Sequence, residues 1–182
     1  MITSAPERAA LERALHATVR EVPDFPAPGI GFKDITPVLA DAALFGACVD
    51  ALAEGYRAEG VTHVAGIESR GFLLAAPVAL ALGAGIVLVR KQGKLPYTTE
   101  RIDYALEYGS ATLEVHTDAC AGGARVLVTD DVLATGGTAL AACELLERLG
   151  AEVVGLGFLL SLDFLPGARR LAGRRVEALA RY

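Results

Sequence analysis

The stretch from Arg125 to Leu149 constrains this chain more than any other. Val126–Val128 is a short apolar run, the pattern of a buried parallel strand. Two carboxylates, Asp130 and Asp131, follow at the strand's carboxyl end, and five small residues, Ala134 to Thr138, come next. From Thr138 on, Leu140, Leu145, Leu146 and Leu149 are spaced for a helix packed on a sheet, and Gly150 closes it. Gly136 and Gly137 leave backbone N–H groups bare to an approaching oxyanion. The helix start adds unpaired N–H groups and a partial positive charge, and Thr135 and Thr138 offer hydroxyls. The loop suits a phosphate monoester. Asp130 and Asp131 would repel that phosphate, but they accept hydrogen bonds from vicinal hydroxyls or face Mg²⁺. A sugar phosphate with free hydroxyls meets both demands. The alternative is an ordinary strand-turn-helix corner with solvated aspartates. No Lys follows the glycines, so this is not a Walker loop.

The rest of the chain reads as an α/β protein. Ser4 and Glu7 have capping-box spacing ahead of a stripe of Leu11, Leu15 and Val19, which predicts a first helix. Pro23, Pro26, Pro28, Gly29 and Gly31 make an irregular segment whose unpaired backbone groups suit the edge of a purine, with Phe32 placed to stack on it. Asp41 caps a helix carrying Leu44, Cys48, Leu52 and Tyr56. Val61 to Ile67 reads as a strand ending in Glu68, Ser69, Arg70 and Gly71, again at a carboxyl end, where open α/β sheets bind ligands. There Arg70 and the Ser69 backbone suit a diphosphate. Gly85 to Arg90 is a third strand. Thr98–Leu106 and Ala111–His116 alternate roughly about Gly109 and Ser110, which predicts a hairpin that breaks the β-α-β rhythm. An excursion of that length suits a lid, with Lys91 and Lys94 at its base. Val153 to Leu160 is a further strand. The arginines at 169, 170, 174 and 175 suit a solvated surface or a subunit contact.

At 182 residues the chain has room for one domain with a full core, and a net charge of −5 argues against a nucleic-acid surface. Cys48, Cys120 and Cys143 have no CxxC spacing, and their odd number suits a reducing, cytoplasmic setting. The apolar run from Gly71 to Val89 is interrupted by Pro77, Gly83 and Gly85, so it reads as helix, turn and strand rather than a membrane span.

Val128 to Thr138 resembles the phosphoribosyl-diphosphate (PRPP) motif of the type I phosphoribosyltransferases. Three further stretches narrow the match: Asp24–Pro37, Gly66–Phe72, and Arg90–Pro96 with Leu106–Gly109. Together, over roughly residues 20 to 165, they resemble the adenine phosphoribosyltransferases. The resemblance implies a single domain over 1–182 with a mainly parallel sheet flanked by helices. It further implies a helix and base-binding hood within 1–37 and a flexible hairpin lid at 91–119. The implied reaction joins adenine to PRPP, giving AMP and diphosphate with Mg²⁺, in a homodimer. The metal would be bound mainly through PRPP rather than by direct protein ligands. Ala134, Thr135, Gly136, Gly137 and Thr138 would then hold the 5-phosphate, and Asp130 and Asp131 the ribose. Ser69, Arg70, Arg90, Lys91 and Lys94 would hold the diphosphate, and Gly31, Phe32 and Lys33 the adenine. Arg70 and Glu107 are the implied catalytic residues, with Tyr108 beside Glu107 on the lid. Many relatives have a hydrophobic residue and an Arg where Gly31 and Lys33 stand, so the base contacts are where this chain departs. Two alternatives are a 6-oxopurine phosphoribosyltransferase, disfavoured because no Lys follows Lys94, and a non-catalytic PRPP sensor, which would need a DNA-binding module or a basic face.

Overall fold

The computed structural model describes residues 4–105, 109–120 and 122–182. Helix α1 (Ala5–Thr18) opens with the expected capping box: Glu7 N–H reaches the Ser4 hydroxyl, and the Glu7 carboxylate accepts from the Ser4 N–H at 2.9 Å. Strands β1 (Arg20–Val22) and β2 (Phe32–Asp34) pair antiparallel, so the irregular segment is a loop tied at its base by a small ribbon. A short α2 (Thr36–Ala40), started by Pro37, precedes α3 (Ala42–Tyr56), whose first N–H groups are capped by Asp41. Then follow β3 (His63–Ile67), α4 (Gly71–Leu82), β4 (Gly85–Lys91), β5 (Thr99–Ala105), β6 (Ser110–His116), β7 (Arg125–Leu133), α5 (Gly137–Arg148), β8 (Glu152–Ser161), α6 (Gly167–Arg170) and β9 (Val176–Arg181).

The main sheet has seven strands in the order β5-β6-β4-β3-β7-β8-β9. Strands β4, β3, β7, β8 and β9 are parallel, and the β5–β6 hairpin adds an antiparallel edge. Along β7 the side chains alternate: Val126 and Val128 join the core on the α5 face, while Leu127 joins the core beneath α1, α3 and α4. From β3 the chain winds outward to β4 and then returns to β7 on the other side of β3. That reversal opens a crevice at the carboxyl ends of β3 and β7, the place where such sheets bind ligands.

Two expectations need correcting. The strand does not stop at Val128. It runs through Asp130 and Asp131 to Leu133, because β8 keeps pairing with it as far as Leu133↔Ser161, whereas β3 leaves it after Thr129. The acidic pair therefore sits on a strand beyond the point where β3 has ended, Asp131 buried and Asp130 half-buried. Nor is the hairpin a detached excursion. β6 pairs with β4 at Arg90↔Glu114, and Ile102, Leu113 and Val115 are buried in the core with α5. The elements not anticipated include the β1–β2 ribbon, α2, α6, and β9 beyond the basic cluster. Arg174 and Arg175 in that cluster are anchored, the first on Glu147 and the second on Glu59 and Glu177.

Candidate active site

Three cavities meet at the crevice, and Asp130 lines all of them. The first is small and lies over the loop before α5, with Ala134, Thr135, Gly136 and Thr138 in its wall. Gly136 takes φ +77°, a left-handed conformation that a residue without Cβ adopts freely, and α5 begins at the next residue. The second is polar, walled by Glu68, Ser69, Arg70, Lys91, Asp130 and Asp131. The third is larger, about 490 Å³, and mostly apolar. On one side it has Ile30, Gly31, Phe32 and Lys33, and on the other Leu162, Phe164 and Leu165. Its size and lining are those of a small-molecule site.

Close packing puts α4 over the acidic pair. A Cβ on Gly71 would lie 2.8 Å from the Thr129 carbonyl oxygen and 3.0 Å from an Asp130 carboxylate oxygen, so only glycine lets the helix start there. Arg70, just before it, pairs its Nε with the Asp131 carboxylate. Burial, and then the charge of Asp131, push the Asp130 pKa well above the ordinary carboxylate value. Two acids side by side, one of them reluctant to ionise, make a site that gains from a cation or from hydroxyl donors.

The cations expected around a diphosphate divide. Arg70 and Lys91, with Ser69, face the polar cavity. Arg90 does not: its Nε is 3.3 Å from Glu68, its Nη1 donates to the Lys94 carbonyl at 2.9 Å, and it lies over the Phe72 ring. Lys94 is also absent from that wall. Glu68 remains ionised below the usual range. Its burial opposes this, but the Lys91 N–H and Arg90 outweigh it.

In the apolar cavity, Gly31 and Phe32 stand where the base was expected. Phe32 carries the Arg70 guanidinium over its ring at 5.5 Å and meets the edge of Phe25. Lys33 lines the cavity, yet its ammonium is held by Glu21 at 3.1 Å and lies over the Tyr182 ring. The sequence reading missed Ile30, Val132, Leu162, Phe164 and Leu165. The signal was present in apolar residues just beyond the carboxyl end of β8, the same position that drew attention to Asp130 and Arg70. Glu107 and Tyr108 lie outside the described residues. Nearby, Tyr104 on β5 accepts a hydrogen bond from Thr138 at 3.4 Å, and the Ala105 carbonyl borders Gly137. The hairpin strand thus leads to the phosphate-type loop.

A family model for the phosphoribosyl transferase domain matches residues 38–174. The adenine phosphoribosyltransferase of Myxococcus xanthus is 59% identical over 168 residues, covering 92% of this chain and 91% of that protein. The chain belongs to the adenine phosphoribosyltransferases. Its fold is theirs: the crystal structure of the adenine phosphoribosyltransferase from Rhodothermus marinus matches with a TM-score of 0.91 at 50% identity, over 96% of this chain and 99% of that one. A more distant adenine phosphoribosyltransferase, from Trypanosoma brucei, was crystallised with AMP, pyrophosphate and ribose-5-phosphate. It is 26% identical, with a TM-score of 0.85 over 94% of this chain and 79% of that one. Among the described residues no helix is long and apolar enough to cross a membrane.

Proposed function

We propose that this chain transfers the 5-phosphoribosyl group of PRPP to N9 of adenine, releasing diphosphate and forming AMP, as a step of purine salvage. One observation carries the reading: Asp130 stands where a phosphate-sized pocket, a polar cavity walled by both cations and carboxylates, and an apolar cavity converge. A phosphorylated ribose carrying a diphosphate and facing a flat base has that same three-way form. The ligands crystallised with the Trypanosoma brucei relative are the pieces of such a reaction. No Lys follows Lys94 in the chain to donate to a 6-oxo group, which favours adenine.

In this reading the Ala134–Thr138 loop binds the 5-phosphate and Asp130 and Asp131 accept from the ribose hydroxyls. Ser69, Arg70 and Lys91 receive the departing diphosphate. Gly31 and Phe32, facing Leu162 and Phe164, bracket the base. The N9 lone pair bonds to the anomeric carbon as the carbon–oxygen bond to diphosphate breaks, through an oxocarbenium-like state. Asp130 and Asp131 fit a neighbouring cation, and Mg²⁺ bound with PRPP would supply neutralisation of charge on the leaving group. Adenine, PRPP and Mg²⁺ should give AMP and diphosphate in equal amounts, read by mass spectrometry and phosphate analysis. Release of ribose-5-phosphate with no AMP would contradict the reading.

Glu107 is the residue proposed to take the N9 proton or to stabilise positive charge on the purine. Glu107→Gln should lower kcat roughly ten- to a thousandfold with little change in PRPP affinity. Full kcat, measured where chemistry limits the rate, would remove it from the mechanism.

The protein acts as a homodimer in the cytosol. The cytosolic setting fits three free, buried thiols. The dimer fits a patch on the α4 side of the sheet: Leu73 and Leu80 on α4, and Ile86 and Leu88 on β4, are all exposed, Leu80 by 84%. Sedimentation at micromolar concentration should show a dimer, and Leu80→Asp should shift it toward monomer. A fully active wild-type monomer would overturn this.

A further inference from the structure

The turn that follows β4, and with it Lys91, is pinned by two carboxylates from opposite sides. One is Glu68, beside the polar cavity, which accepts from the Lys91 N–H at 3.0 Å. The other is Glu114 on β6, opposite Arg90 in the antiparallel register and only 1% exposed. Glu114 accepts from the Lys94 N–H at 2.9 Å and the Leu95 N–H at 3.0 Å. Its other oxygen lies 3.5 Å from Arg101 Nε on β5. The turn is tied further by the Gln92 N–H to the Thr112 carbonyl at 3.1 Å and by Arg90 to the Lys94 carbonyl. Burial penalises the Glu114 charge, but the N–H groups of Leu95, Lys94 and Gly93, together with Arg101, more than offset it and hold its pKa below the usual value.

A buried charge on an edge hairpin is a poor way to fill a core, because an apolar residue of similar volume packs there without the desolvation cost. What Glu114 supplies is an acceptor for the N–H groups of Lys94 and Leu95, at the far end of the turn from Lys91. We infer that Glu114 is a positioning residue for the diphosphate end of the substrate, holding the Lys91–Leu95 turn so that Lys91 faces the cavity it shares with Ser69 and Arg70. It touches no substrate. The inference rests on reading that cavity as the diphosphate subsite. It also gives the hairpin a second task besides covering the site: β6 fixes one wall of that subsite from behind.

The test compares Glu114→Ala, Glu114→Gln and Lys91→Ala by calorimetry with Mg²⁺–diphosphate and, separately, with AMP, which has no diphosphate. Glu114→Ala should weaken diphosphate binding about tenfold or more and raise KM for PRPP alike, since small misplacements of a binding group cost that much. AMP affinity and KM for adenine should stay at wild-type values. Glu114→Gln keeps an oxygen acceptor for Lys94 and Leu95 and should recover most of the loss. If the alanine variant fails to fold, Glu114→Leu keeps the volume without the acceptor and answers the same question. Wild-type diphosphate affinity in Glu114→Ala or Glu114→Leu, beside a loss in Lys91→Ala, overturns the inference, as does an equal loss for diphosphate and AMP. If Lys91→Ala also binds diphosphate normally, the subsite reading fails first and the inference falls with it.

Discussion

Gly136→Val should abolish binding of both AMP and PRPP and lower the melting temperature. Gly136 takes φ +77°, and a left-handed conformation costs a residue with a Cβ about 1–2 kcal/mol. The space is closed as well. A Cβ at this position would lie 2.8 Å from the Gly167 carbonyl oxygen and 3.0 Å from its Cα, both backbone atoms of α6. The sequence alone pictures the new side chain filling the phosphate's place. The structure aims it instead at α6, so the loop must move off α6, and the N–H groups proposed to face the phosphate move with it. Gly137→Ala is the milder companion, because its Cβ meets the end of the Arg170 side chain at 3.1 Å and the Ala105 carbonyl at 3.4 Å. Titration with AMP, beside a thermal melt, measures both effects. Undiminished AMP affinity in Gly136→Val would show that this loop does not hold the phosphate.

The double change Asp130→Asn with Asp131→Asn should lower kcat/KM about 10²- to 10³-fold, the usual cost of removing a preorganised polar group from a reacting centre. The phosphate loop is untouched, so inorganic phosphate and ribose-5-phosphate should still compete. Wild-type kinetics would remove the ribose-binding role. Stability should move the other way for Asp130. Its folded pKa is raised by burial and by Asp131, so the substrate-free folded protein holds a proton that the unfolded chain has lost. Stability from this group is therefore present at low pH and declines as pH rises from about 4 through the raised value. Asp130→Asn removes that decline. The variant should melt higher than wild type at alkaline pH, with the gap closing toward pH 4, a case of stability given up for function. A gap that widens on acidification would contradict the assignment.

What was legible followed from patterns that local physics enforces. The Ser4–Glu7 cap, the Asp41 cap and the buried apolar run at Val126–Val128 each needed only near neighbours. The site's polar half was legible because strand ends followed by acids, glycines or arginine have few other uses. The misses depended on the rest of the fold. The extension of β7 through Asp131 is decided by β8, which lies beyond a whole helix in the chain. The ion pairs of Arg90 and Lys33 were hidden in the same way, because their partners, Glu68 and Glu21, are brought to them by tertiary structure. The far wall of the apolar cavity, Leu162 to Leu165, looks in sequence like the frayed end of a buried strand. Only the approach of the Gly29–Lys33 segment across the crevice turns it into half of a pocket.

The most direct test of the central claim is kcat/KM for product formation from PRPP and Mg²⁺ with adenine beside hypoxanthine, guanine and xanthine. A site whose polar groups are matched to one purine edge discriminates by about 10⁴ or more. Adenine should give AMP, and the three 6-oxopurines should give product at or near background. Comparable turnover of hypoxanthine or guanine, or no nucleotide from adenine, would contradict it.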